Sequence, residues 1–328
     1  MISEFIPGNF RKTVRLAQLE YSTESVSCAP QIVHSEAKPL IIGPLLDPVF
    51  VDLRARFSNR AHFVRWEDFR RTWDYRVKNG MLELIVDGKV HSVTALYVRS
   101  CEVSLDFEYY YDLQMFVTLL STLKIRRLGT VDLGISNFSK ILQLRILLRD
   151  AAEGLASVAI PETLVIKSKE MTGAGLARAM GPSVAKSVSS ARTQVFDDRL
   201  FRHFGHHRPA HTPVLIQKKK SGMEIRVHVI DGAIFPLGIQ KLSDTVDYRY
   251  GCEVELVHDV HLSAEEIEFC RRVQRLENNP LIGLDLIRDQ GVTYCFEANP
   301  NPGWACFDYE IPAKEALAQA ILKYLEGA

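Results

Sequence analysis

No stretch of eighteen apolar residues interrupts this chain, and its start is not a basic segment followed by an apolar one, so we expect neither a membrane span nor a signal peptide. Charge of one sign is also missing: Lys plus Arg and Asp plus Glu both number 40. No global field therefore favours nucleic acid or an anionic membrane, and we expect neither as a partner. The six cysteines, Cys28, Cys101, Cys252, Cys270, Cys295 and Cys306, are scattered, without the CxxC pair of a zinc or redox site. Reduced thiols in a cytoplasmic protein are the expectation. There is no internal repeat and no low-complexity tract. What is present is an ordinary globular composition, 47% hydrophobic and 24% charged, over 328 residues. That length exceeds what one compact core usually holds, which implies two or three packed subdomains.

Residues 1–38 mix polar, Pro and Ser residues with no sustained period and read as an irregular extension. A β-α-β grammar follows: "KPLIIGPL" as a strand, "DPVFVDLRARFSN" as a helix capped by Asp47 with Pro48 at its first position, and "AHFVRW" as a strand. "MLELIVDGKVHSV" reads as a hairpin through Asp87-Gly88, and "TALYVRS" as a further strand. Apolar residues at helical spacing mark "DFEYYYDLQMFVTLLSTLK" and "SKILQLRILLRDAAEG". Beyond residue 160 come strands in "IPETLVIKS", "PSVAKSVSS" and "PVLIQKK", with "KEMTGAGLARAMG" as a helix between the first two. A hairpin across Asp231-Gly232, the helix "SAEEIEFCRRVQRL", the strand pair "LIGLDLIRDQGVTYCFEANP" and a final amphipathic helix "AKEALAQAILKYLEG" complete the pattern.

The chemistry concentrates in that last strand pair. Glu297 and Asn299 are two apart and share a face of an extended chain. Pairing the strands brings Asp285 to them, and three oxygen donors on adjacent strands suit a hard cation such as Mg²⁺. The plainer alternative is that Asp285 caps a turn and Glu297 meets an arginine. Lys186 lies mid-strand among small and apolar residues, Lys140 opens a helix, and Arg226 faces away from Ile225 and Val227. Singly each reads as a snorkelling or paired cation; together they suggest a phosphate site.

In order, "SKILQL", "AKSVSSARTQVF", "VLIQKKK", "EIRVHVIDGAIFPLGIQ", "DYRYG", "GLDLI" and "FEANPNPGW" resemble the ATP-grasp ligases. The branch they resemble is that of glutathione synthetase and the ribosomal-protein glutamate ligases, which includes the graspetide macrocyclases. The likeness covers residues 39 to 326, and the spacing 297 − 285 = 12 with Asn299 two further on looks like the family's metal triad. It implies an α/β (α+β) protein with a Rossmann-like pre-ATP-grasp domain over 39–130, a small central lobe over 131–214 and a C-terminal metal-bearing lobe over 215–328. It further implies ATP and Mg²⁺ as cofactors. Lys140 and Lys186 would hold the phosphates, Ser189 and Arg192 a closing loop, and Gln217 and Lys218 the adenine-reading hinge. Arg226 would stabilise an oxyanion, with Arg249 and Asp247 on the acceptor side and Arg99 as a carboxylate anchor. A structural salt bridge is the alternative for Asp247 and Arg249, and surface pairing for Arg99. The chain departs from the family at the hinge, where a glutamate is usual and this sequence has Lys218 and Lys219. The cluster His203, His206, His207 and His211 lacks ligand partners at zinc spacing and reads as a solvated loop.

The resemblance implies ligation of a peptide or amino-acid carboxylate to an amine or hydroxyl acceptor through an acyl phosphate, with release of ADP and phosphate. Macrocyclisation of a ribosomal peptide and a non-catalytic ATP-binding scaffold stay open as alternatives. Homodimerisation is an expectation from the family alone.

Overall fold

The computed structural model describes residues 34–66, 74–86, 89–99, 125–129, 139–152, 158–166, 180–188, 195–197, 213–243, 253–305 and 311–327, with a few single positions between them. They form three sheets. The first has the order β2 (His62–Arg65), β1 (His34–Gly43), β5 (Lys89–Val98), β4 (Met81–Val86), β3 (Asp74–Lys78), with β6 (Arg126–Leu128) beside β5. Its β1 pairs in parallel with β2 and β5. The helix α1 (Pro48–Phe57) between β1 and β2 is capped as expected, the Phe50 amide donating to Asp47 Oδ1 at 2.8 Å with Pro48 at its first position.

Several details differ from the sequence expectation. β1 begins at His34, inside the stretch read as an irregular extension, and β5 is one continuous strand that absorbs "TALYV". Val86 pairs with Lys89, and Asp87-Gly88 lies outside the described residues, as does most of "DFEYYYDLQMFVTLLSTLK" and of "KEMTGAGLARAMG". The strand β3 was not expected at all. It pairs with β4 through Asn79 and Gly80, both at positive φ (54° and 76°), the backbone that a two-residue hairpin with right-handed twist demands.

The second sheet is small and antiparallel, ordered β10 (Val195–Asp197), β9 (Ser183–Ser187), β11 (Val214–Lys218), β8 (Thr163–Ile166). The third is ordered β14 (Val254–Val257), β13 (Ala233–Lys241), β12 (Met223–Ile230), β15 (Leu281–Asp289), β16 (Val292–Asn299), β7 (Val158–Ala159). β7, from the stretch expected to build the central lobe, joins this third sheet in parallel with β16. The helix α2 (Lys140–Ala152) goes with it, held to α3 (Ala264–Glu277) by Arg272, which donates to both oxygens of buried Asp150 at 2.8 and 3.1 Å.

One face of the third sheet, with Ile225, Val227, Ile282, Leu284, Leu286, Cys295 and Ala298, packs on Phe269, Cys270 and Val273 of α3. The final helix α4 (Ile311–Glu326) buries Leu317, Ala318, Ile321, Leu322 and Leu325 between Ile41, Tyr97 and Leu128 of the first sheet and Ile230, Leu237 and Leu281 of the third. No helix among the described residues is long and apolar enough to cross a membrane. Cys270 and Cys295 are buried free thiols; the other four cysteines lie outside the described residues.

The start of α3 is a capping box: Ser263 Oγ accepts from the Glu266 amide at 3.1 Å, and Glu266 Oε2 accepts from the Ser263 amide at 2.8 Å. Glu266 also accepts from Arg288 at 2.6 Å and from Thr293 at 2.6 Å, tying the helix to β15 and β16. Burial alone would raise its carboxyl pKa, but these donors outweigh it and hold the group below the ordinary glutamate range. The stabilisation is therefore complete above the unfolded value, about 4.3, and is lost as pH falls through the lower folded value. Glu266→Gln is expected to cost about 1–3 kcal/mol in urea denaturation at pH 7. The gap from wild type should narrow as the pH is lowered below the ordinary glutamate pKa.

Candidate active site

On the face of the third sheet opposite α3, three strands present one row of charges. Arg226 on β12 is opposite Asp285 on β15, and Asp285 is opposite Glu297 on β16. Directly opposed residues share a face. The next row is His228, Gly283 and Asn299.

A bulge decides which residues face the site. Leu286 pairs with Cys295 and Asp285 with Glu297, so Phe296 is the extra residue. Cys295 and Ala298 both point into the core, while Phe296 and Glu297 both turn to the opposite face. Without the extra residue the register would set Asp285 against Phe296 and carry Glu297 to the helix side.

The charges are paired. Lys140 Nζ, at the start of α2, donates to Glu297 Oε2 at 2.7 Å, and the Arg226 guanidinium donates to Asp285 Oδ1. The lysine is placed because the Lys140 amide donates to the Val188 carbonyl at 3.0 Å, binding the start of α2 to the end of β9. Lys186 on β9 lies 5.2 Å from the Phe296 ring centroid and donates to Gln217 Oε1 at 2.9 Å. The site thus sits where the small antiparallel sheet meets the third sheet. Burial would raise the Glu297 pKa, but the charges of Lys140 and Lys186, then Arg226, bring it down to about 2.

Of the residues expected at the site, Lys140, Lys186, Arg226, Asp285, Glu297 and Asn299 converge here. Gln217 is buried and joins them through Lys186, its amide nitrogen donating to Thr163 Oγ1 at 3.2 Å. Lys218 is partly exposed, its Nζ 3.9 Å from Glu162, and its amide donates to the Glu162 carbonyl at 2.9 Å. Ser189, Arg192, Asp247, Arg249 and the four histidines lie outside the described residues.

Arg99, expected as a carboxylate anchor with surface pairing as the alternative, does not sit on the surface. It is buried, donating to Asp47 Oδ1 and Oδ2 at 3.2 and 2.9 Å and to Asn301 Oδ1 at 2.5 Å.

Gly283, His228 and Asn279 were not singled out in the sequence. A Cβ on Gly283 would lie 2.6 Å from Pro302 Cβ and 2.9 Å from Arg226 Nη2, so the missing side chain makes the space in which that guanidinium lies. A glycine inside the apolar run "LIGLDLI" was the available signal, because glycine in a strand marks close approach.

Two carboxylates and a carboxamide oxygen suit a hard divalent cation, and the two lysines beside them suit polyphosphate. Among the described residues no three His, Cys, Asp or Glu side chains converge, so the set here is two carboxylates and one amide.

No family model matches this chain, and no curated protein matches it in sequence. Solved structures do. The ATP-grasp ligase PsnB, complexed with a minimal precursor, superposes with a TM-score of 0.67 at 19% identity, covering 89% of this chain and 99% of the other. The fold is ATP-grasp. The macrocyclase MdnC from Microcystis aeruginosa MRC, bound with precursor peptide MdnA, gives a TM-score of 0.65 at 14% identity over 89% and 100% of the two chains. The D-alanine–D-alanine ligase from Bacillus anthracis, complexed with ATP, gives 0.56 at 14% identity over 89% and 98%. Identities this low establish the ATP-grasp fold and leave the chemistry to be argued from this chain's own residues.

The Lys140–Glu297 contact has a direct consequence. Lys140→Met leaves a mostly buried carboxylate without its nearest counter-charge and is expected to cost about 3 kcal/mol in chemical denaturation at pH 7. Adding Glu297→Gln should recover most of that loss, because removing both charges removes the uncompensated one.

Proposed function

We propose that this protein is an ATP-dependent ligase that joins a carboxylate of a peptide to an amine or hydroxyl through an acyl phosphate. The observation that carries the reading is the convergence of Lys140 and Lys186, from separate elements, on the Glu297 edge of the Asp285–Glu297–Asn299 set. A cation pair beside hard oxygen donors is built for a metal–polyphosphate complex. Asp285, Glu297 and Asn299 would hold Mg²⁺, which when bound neutralises phosphate charge. Lys140 and Lys186 would take the phosphate oxygens, and Ser189 and Arg192 would close over them.

In the first step a carboxylate oxygen attacks the γ-phosphorus, the bond to the β–γ bridging oxygen breaks, and ADP leaves with that electron pair. The chain's residues position the reactants and spread the charge; none forms a covalent bond. In the second step the nitrogen or oxygen nucleophile adds to the acyl carbon, phosphate departs with the C–O electron pair, and the nucleophile's proton passes to solvent or phosphate. Arg226, held at the edge of the set by Asp285 and by the space over Gly283, would stabilise the oxyanion of the tetrahedral intermediate. Arg249 and Asp247 would orient the incoming nucleophile.

A peptide substrate is favoured because PsnB and MdnC are each complexed with a precursor peptide, and a further PsnB complex contains Mg and ADP. The likeness to MdnC, a macrocyclase, supports macrocyclisation between side chains as a specific form of the reaction.

Purified protein given ATP, Mg²⁺ and a peptide carrying Asp or Glu with Lys, Ser or Thr should release ADP, and Glu297→Gln or Asp285→Asn should lower that rate about a hundredfold or more. Mass spectrometry then separates the two forms: ring closure removes one water per bond, whereas ligation of a separate amine adds its mass less one water. Unchanged ADP release in both variants would refute the metal assignment, and no ADP release by the wild type with any such peptide would favour a scaffold.

A further inference from the structure

The chain after Asn299 is held by an unusual set of contacts. Four consecutive carbonyls, Pro300 to Gly303, each meet a buried side chain. Asn279 donates to the Pro300 carbonyl at 2.6 Å; Arg99 donates to those of Asn301 and Pro302 at 3.3 and 2.9 Å; and His228 Nε2 lies 3.4 Å from that of Gly303. These donors come from the turn before β15, the end of β5 and the middle of β12. Burial, with Arg226 and Arg99 nearby, holds His228 well below its ordinary pKa, so the ring is neutral and donates through Nε2–H.

Such a cluster is costly to assemble. A buried guanidinium must be paired and its donors satisfied, and Arg99 achieves this with the Asp47 carboxylate on one edge and the 301–302 segment on the other. Conventional turn chemistry needs none of it, since Pro and Gly already favour a turn. What the cluster does hold is the neighbour of Asn299. The Asn301 amide donates to Asn299 Oδ1 at 2.9 Å, so the orientation of the Asn299 side chain depends on where Asn301 sits. Asn301 is buried and sits where Arg99 puts it.

We infer that Arg99 is a positioning residue: braced by Asp47 and assisted by Asn279 and His228, it fixes the Pro300–Gly303 segment so that the Asn299 oxygen faces the cation shared with Asp285 and Glu297. This rests on the metal-site reading above and adds a cause for its geometry that lies in the first sheet. The Asp47 that caps α1 is then also the brace of the metal site, linking the N-terminal helix to cation affinity.

The test uses the full chain with Mn²⁺ as probe and ADP present, free Mn²⁺ being read by electron paramagnetic resonance. Asp285→Asn and Glu297→Gln come first: if neither weakens Mn²⁺ binding, the metal site itself is wrong and the inference falls with it. If they do weaken it, Arg99→Gln is expected to weaken Mn²⁺ binding about tenfold or more while leaving affinity for ADP without metal unchanged. Arg99→Lys should not rescue, because a single ammonium cannot bridge Asp47 and Asn301 as the forked guanidinium does. Asp47→Asn keeps a good helix cap and should shift Mn²⁺ affinity in the same direction by less. A folded Arg99→Gln protein with wild-type Mn²⁺ affinity, or one that loses metal-free ADP binding equally, overturns the inference. Should Arg99→Gln not fold, Asn301→Ala decides, with weakened Mn²⁺ binding expected and unchanged binding overturning it.

Discussion

Two carboxylates stand opposite each other on adjacent strands, Asp285 and Glu297, and the rest of the site is arranged around giving each a cationic partner. Like charges at this separation repel, and partial burial removes the water that would screen them. Arg226 from one side and Lys140 from the other relieve both costs. Each compensating cation fixes a part of the fold: Arg226 requires Gly283 to lack a side chain, and Lys140 requires α2 to start against the end of β9. A ligand that brings its own positive and negative charges, as a metal–polyphosphate does, can exchange partners with both pairs without leaving any group uncompensated.

The frame that holds this row is assembled from distant parts of the chain. α4, the last element, fills the space between the first and third sheets, and fully buried Trp304 joins the same core from the segment that follows the site. Arg99 connects the sheets through polar contacts in the same region. The N-terminal sheet is thereby fixed to the strand end carrying Glu297 and Asn299 by both apolar burial and a satisfied polar network, which together specify a single arrangement.

Much of this was legible in the sequence wherever the information is local. The cap of α1 by Asp47, the hairpin at Asp231-Gly232 with φ of 47° and 81°, and the spacing of Asp285, Glu297 and Asn299 all survive in the structure. The hairpin through Asn79-Gly80 carried the same kind of signal and went unread because β3 is only five residues long, and its alternating Tyr75 and Val77 are exposed rather than packed on a core. Features fixed by long-range pairing could not be read. Nothing in "VA" indicates that β7 will lie beside β16, and nothing in "YCFEAN" shows that Phe296 is a bulge rather than one more alternating residue. Surface pairing is the plain reading of a strand-end arginine, and the buried partners of Arg99, 52 residues back and 202 residues on, could not be read from its neighbours in the chain.

The central claim is that the row on β12, β15 and β16 is a divalent-cation and nucleotide site. Anomalous diffraction at the manganese edge, from crystals soaked with Mn²⁺ and a non-hydrolysable ATP analogue, tests it most directly. The account predicts a manganese peak within coordination distance, about 2 Å, of oxygens of Asp285, Glu297 and Asn299, with Lys140 turned from Glu297 to a phosphate oxygen. A peak elsewhere, or a bound nucleotide with the Lys140–Glu297 and Arg226–Asp285 pairs undisturbed and no manganese between them, would contradict it.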